Sequence, residues 1–343
     1  MLAYLAKRLL LMIPTLLGVL TITFAVIQFV PGGPVEQVLA EARALKAKGG
    51  GYSAQRDLDA KQVEALKKLY GFDKPPLERY VDMIKSFARF DLGTSFMHNK
   101  GVWPLIKEKL PVSISLGLWT FLLSYLVSIP LGIAKAVRDG TRFDTATTVV
   151  VLIGYAIPGF VLGVLLIVLF AGGSFLDWFP LRGLTSDDWA SLSWPARIVD
   201  YFWHLVLPLV CMTLGSFAVT TMLTKNTFIE ELRKQYVLVA RAKGLSQRRV
   251  LWKHVFRNAL IPLVTGFPAA FIGAFFTGSL LIETLFSLDG LGLLSYEAVV
   301  RRDYPVVLGS LYLFTLIGLV VKLVSDLLYV WVDPRVQFGA VGR

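Results

Sequence analysis

Six stretches of this chain are apolar for long enough to cross a lipid bilayer, and this constrains the fold more than any other feature. A hydrocarbon core about 30 Å thick takes roughly 20 helical residues, and the runs at 9–30, 112–134, 145–170, 202–224, 259–282 and 306–331 all meet that length. With 55% of 343 residues hydrophobic, the chain is far more apolar than an average soluble domain. The expected fold is an all-α integral membrane protein with six transmembrane helices. An even number of crossings puts both termini on one side, and the basic residues say which. Lys7 and Arg8 precede the first run, Lys135, Arg138 and Arg142 fill the short loop after the second, and a strongly basic insert follows the fourth. All three fall on the same side, which positive-inside bias makes cytoplasmic. The expected division is an N-terminal span (1–30), an external segment (31–111) and a five-helix core (112–343).

The insert at 225–257 is the least membrane-like part of the core. It carries nine Lys or Arg against Glu230 and Glu231, so it supplies +7 of a formal net charge of +11. Phe228, Leu232, Tyr236 and Val239 recur at helical spacing, Gly244 interrupts, and Leu251, Val255 and Ala259 resume the pattern. This spacing predicts two short helices joined at a glycine turn. A loop needed only for topology would not keep an apolar stripe, so the stripe reads as a face for docking on another protein. Charge placed beside membrane spans points to topology and partner docking rather than to nucleic acid.

The string Val239-Ala-Arg-Ala-Lys-Gly244-Leu245, followed by Arg257-Asn-Ala-Leu-Ile-Pro262, resembles the coupling loop of ABC-importer permeases of the dipeptide and oligopeptide class. Glu283-Thr-Leu-Phe-Ser-Leu-Asp-Gly-Leu-Gly292 and Arg301-Arg-Asp-Tyr-Pro-Val-Val307 match the peptide-permease pattern more specifically still. Two departures stand out: Leu238 occupies a position where the wider superfamily has Glu, and Asp289 one where Pro is usual. The resemblance implies a type I ABC importer permease fold. It casts Ala240, Arg241, Ala242, Lys243, Gly244 and Leu245 as the part seated in a groove of an ATPase subunit. Without the acidic anchor, that contact would rest on shape and on basic residues. The segment Phe90, Asp91, Leu92, Gly93, Thr94, Ser95 and Phe96 is similar to the family's external region, which helps receive a substrate-binding protein. Glu283, Asp289, Gly290 and Gly292 become candidates for the gate or pathway, with Glu283 equally readable as a helix-end carboxylate that fixes the outer gate.

The same resemblance implies the partners. They are a second homologous permease, ABC ATPase subunits carrying ATP and Mg, and a periplasmic peptide-binding protein, all at the inner membrane of a bacterium. Oligopeptides would be the cargo, with peptide antibiotics such as microcin C as candidates. Nothing in the sequence suggests that this chain is an enzyme or binds a cofactor itself. It lacks a G-x-x-x-x-G-K-[ST] phosphate loop. Its one cysteine, Cys211, can form no disulfide within the chain, and His204 and His254 have no companions at metal-ligand spacing. The competing class is an ion-coupled secondary transporter or channel, which would need a titratable group at mid-membrane and often an inverted repeat. The sequence displays neither. Smaller expectations are an amphipathic helix at 60–70, stopped by Gly71 and Pro75-Pro76, a mobile glycine-rich stretch at 40–57, and a bend or close helix approach at Gly154, Pro158, Gly159 and Gly163.

Overall fold

The computed structural model describes residues 2–29, 73–173, 175–276 and 280–332. The predicted features at 40–57 and 60–70 lie outside these residues. The described chain is helical: α1 (Leu2–Phe29), α2 (Pro76–Ala88), α3 (Val102–Val137), α4 (Arg142–Ala156), α5 (Gly159–Phe170), α6 (Trp194–Leu232) and α7 (Gln235–Ala242) come first. Then follow α8 (247–259), α9 (Ile261–Phe276), α10 (Leu280–Leu285), α11 (Leu291–Val300) and α12 (Tyr304–Val332). The middle of α8, Val250–Val255, is π-helical.

The described residues account for fewer than the six expected crossings. Among the described residues four helices are long and apolar enough to span a membrane, and a fifth crossing exists if α4 and α5 count as one. That pair is bent by 91°. Pro158 has no N–H to continue the ladder, and it pushes Ile157 out of the helical region, to φ −84° and ψ 118°. α9 and the start of α10 fall within the run predicted at 259–282. Other elements are longer than hydropathy indicated. α3 runs through Pro111 from Val102, and α6 is one helix of 39 residues that leaves the apolar zone at both ends. The Pro75-Pro76 pair opens α2, because proline at a first helical position gives up only an N–H that has no intrahelical partner.

The chain divides into two compact units. One comprises Met1–Leu110 with Leu294–Leu319, so part of α12 belongs with the N-terminal region. There α2 lies along α1: the hydroxyls of Thr21 and Tyr80 are 2.6 Å apart, and Arg79 Nη2 donates to Gln28 Oε1 at 2.6 Å. Phe87 and Phe90 pack against Tyr312, with ring centroids 5.2 and 6.3 Å apart.

In the second unit, Pro111–Leu293 with Val320–Arg343, the described residues form two apolar cores. One gathers Leu205, Leu207 and Leu209 of α6 with Ile282, Phe286 and Leu288. The other lies under the polar insert and contains Ile133, Phe228, Val237, Val250 and Val255. Glycines set the helix spacing here. A Cβ on Gly132 of α3 would stand 2.5 Å from Thr224 Cβ and 2.8 Å from the Thr221 carbonyl of α6, so α3 and α6 touch backbone to backbone.

Candidate functional site

The polar insert folds as the sequence predicts, as two short helices around a glycine. α6 runs straight into it, α7 ends at Ala242, and Gly244 takes φ +80°, a conformation that costs other L-residues about 1 kcal/mol or more. Gly244 N–H donates to the Arg241 carbonyl at 2.9 Å and Leu245 N–H to the Ala240 carbonyl at 3.3 Å, closing the helix end. A polar knot holds its base. Tyr236 O–H donates to Glu231 Oε2 at 2.6 Å, Lys234 also pairs with Glu231, and Asn258 Nδ2 donates to the Tyr236 hydroxyl at 3.3 Å.

The apolar stripe does not point where its pattern suggested. Phe228 and Val255 are fully enclosed and Ala259 nearly so; with Val237 and Ala240 they pack against Ile133 and Ala136 of α3. Most of the stripe is therefore the loop's own foundation. The outward surface carries the exposed Arg241, Ala242, Lys243 and Gly244 together with Leu238 (57% exposed), Val239 (52%) and Trp252 (52%). Ala240 is buried and Leu245 half-buried. An uncharged Leu at 238 thus joins a mixed apolar and basic face.

The external candidates Phe90 to Phe96 form a folded turn. Phe90 has φ +62° and Gly93 φ +77°; a bulky aromatic side chain in that region is a conformational outlier. Leu92 packs where Gly309 of α12 leaves room, since a Cβ at Gly309 would meet Val102 Cγ1 at 2.7 Å and Leu92 Cβ at 3.4 Å. Buried Asp303, part of the 301–307 string, organises the turn. It accepts the Ser95 hydroxyl at 2.5 Å, Phe96 N–H at 3.1 Å and Met97 N–H at 3.3 Å. Ser95 Oγ in turn accepts His98 N–H at 3.0 Å. The preceding Arg302, at φ +56°, is a second outlier beside this contact. Two strings some 200 residues apart are therefore one structure, which no local pattern in the sequence indicated. Phe90, Asp91, Gly93 and Thr94 are exposed and can meet a partner, whereas Leu92 and Ser95 face inward. Asp303→Asn leaves an amide where three donors converge, so it should cost about 2 kcal/mol. A fall in the protein's thermal midpoint is the expected result; an unchanged midpoint would contradict this account of the turn.

The second candidate turn is organised by Glu283, which is 1% exposed. Its Oε2 accepts Leu293 N–H at 2.7 Å, and its backbone carbonyl accepts Leu288 N–H at 2.7 Å. Gly290 lies directly over the carboxyl group: a Cβ there would be 2.6 Å from Glu283 Cδ. Ser113 Oγ accepts Leu291 N–H at 2.8 Å, tying the turn to α3. Asp289 is exposed, Gly292 half-buried, and Ser287 adopts φ +50°. Of the two readings of Glu283, its position is that of a carboxylate fixing a turn. The adjoining Leu280, Leu281 and Ile282 do border a cavity of about 640 Å³, lined also by Thr120, Phe121, Ser124 and Tyr125. None of the described residues lining it is charged.

Residues 128–338 match the family described as Binding-protein-dependent transport system inner membrane component. The chain belongs to this family. Its curated relatives extend the match to 98% of the chain. It is 56% identical to the Peptidoglycan transport system permease protein YejB of Agrobacterium fabrum, covering 98% of that protein, and 53% identical to the Inner membrane ABC transporter permease protein YejB of Escherichia coli O157:H7, covering 99%. It is also 35% identical to the Di/tripeptide transport system permease protein DppB of Pseudomonas aeruginosa, covering 99%. The solved MetNI methionine ABC transporter in its inward-facing conformation aligns at a TM-score of 0.47 and 16% identity, over 67% of this chain and 96% of that one. As a member of this family the protein is a multi-pass ABC transporter permease subunit, a transport component rather than the ATPase.

Proposed function

We propose that this permease carries oligopeptides, including the peptide-bearing fragments that peptidoglycan would supply, across the bacterial inner membrane into the cytoplasm. The observation that carries the reading is the loop at 235–259: an exposed basic and apolar face mounted on a buried core and continuous with α6. Such a face suits a groove on a separate ATPase subunit holding ATP and Mg, because rigid mounting lets a push on the loop reach the membrane helices. A periplasmic peptide-binding protein would meet the exposed part of the 90–96 turn, and a second homologous permease would complete the pathway. Among the described residues lining the 640 Å³ cavity there is no carboxylate of the kind a proton-coupled carrier uses, which supports this reading. Both termini would then lie on the cytoplasmic side, with the coupling loop.

Reconstituted vesicles test the proposal. The complex should take up a labelled oligopeptide when ATP is supplied to the coupling-loop side together with the binding protein, and should ignore an imposed pH gradient alone. Uptake driven by the gradient without ATP would overturn it.

A further inference from the structure

The cytoplasmic end of the second unit contains a charge cluster that none of the motifs covers. Lys135 of α3 is fully buried, yet its ammonium group has a full set of partners. It lies 3.0 Å from Asp144 Oδ1 and donates to the Asp144 carbonyl (2.8 Å), Thr147 Oγ1 (2.8 Å) and Thr148 Oγ1 (2.7 Å), all on α4. The other carboxylate oxygen of Asp144 accepts Lys225 Nζ of α6 at 2.7 Å and Gly140 N–H at 3.2 Å. Lys225 also pairs with Asp139 at 3.2 Å, and Arg233 reaches Asp139 at 3.8 Å from the first residue beyond α6. One carboxylate thus joins α3, α4 and α6, two turns before α6 enters the coupling loop.

Stability alone is a poor reason for such an arrangement. Withdrawing charges from water costs several kcal/mol each, and apolar replacements of buried ion pairs are often as stable or more so. What the cluster supplies is directional: α4 is fastened to the one helix that continues into the loop, and the other end of α4 is the 91° bend at Pro158. We propose that Asp144, clamped by Lys135 and Lys225, is a positioning residue that transmits displacement of the coupling loop from α6 to α4 and so to the bent α4–α5 crossing.

This inference rests on the ATP-driven reading above. The test uses Lys225→Met in the complete complex, because it cuts the α6 link while leaving the Lys135–Asp144 pair intact. Peptide uptake and ATP hydrolysis are measured together in vesicles. The expected result is parental accumulation and parental hydrolysis with about tenfold less peptide imported per ATP, largely restored by Lys225→Arg. An unchanged ratio overturns the proposal, and so does failure of Lys225→Met to assemble, which would make the cluster a folding element. A parental complex that imports without ATP would instead overturn the underlying reading, so the two failures are distinguishable.

Discussion

A chain carrying Arg241→Glu with Lys243→Glu accumulates in membranes at the parental level and imports about a hundredfold less peptide. Both side chains are exposed, so reversing them disturbs folding little. Against a partner groove matched to basic residues, however, each reversal places like charges together, at a cost of several kcal/mol in all. Gly244→Pro reaches the same end by shape. Proline cannot adopt φ +80° and removes the N–H that donates to Arg241. Gly244→Ala is the graded control: no atom lies within 4 Å of the added Cβ, so only the backbone conformation is strained. Uptake should fall in the order alanine, then proline. Import at the parental rate in the charge-reversed chain, with expression confirmed by immunoblot, would sink the coupling assignment.

Gly290→Ala unfolds the outer turn. The added Cβ would lie 2.6–2.8 Å from all three terminal atoms of the Glu283 carboxyl group. Moving that group away breaks its bond with Leu293 N–H. A buried carboxylate and a backbone donor then lose each other, costing about 3 kcal/mol or more. We expect a thermal midpoint several degrees lower for the purified complex and uptake reduced at least tenfold. Glu283→Gln keeps an acceptor of the same size and should cost only about 1 kcal/mol, with a modest loss of uptake. The double variant Glu283→Ala with Gly290→Ala separates clash from clamp: once the carboxyl is gone, Gly290→Ala should add almost nothing further. Fully additive effects would show that the two residues act independently.

The membrane class and the family were legible along the chain. Apolar runs of 20 or more residues can satisfy their backbones in lipid only as helices, whatever surrounds them. The strings at 239–245, 283–292 and 301–307 each sit within one stretch of chain, as did the glycine turn at 244. The buried positions were not legible. Lys135 looked like one of several topology-setting charges, yet it is buried and paired with Asp144, which Lys225 of α6 also holds. Glu283 read equally as a pathway carboxylate and as one fixing a gate, and only packing shows the turn at 290–293 closing over it.

Periodicity located the stripe through Phe228, Val255 and Ala259 but could not orient it. Whether a helical face meets a partner protein or its own neighbours depends on where α3 and α6 pack, and Gly132 against Thr224 decides that. In the same way, Ser95 and Asp303 carry no mark of each other across 208 positions. By itself the sequence determined what is summed locally: hydropathy, charge, helix-breaking residues and family motifs. Tertiary structure alone decided which polar groups lose their water and find each other instead, because desolvation and hydrogen bonding belong to pairs brought together by packing and not to positions along a chain.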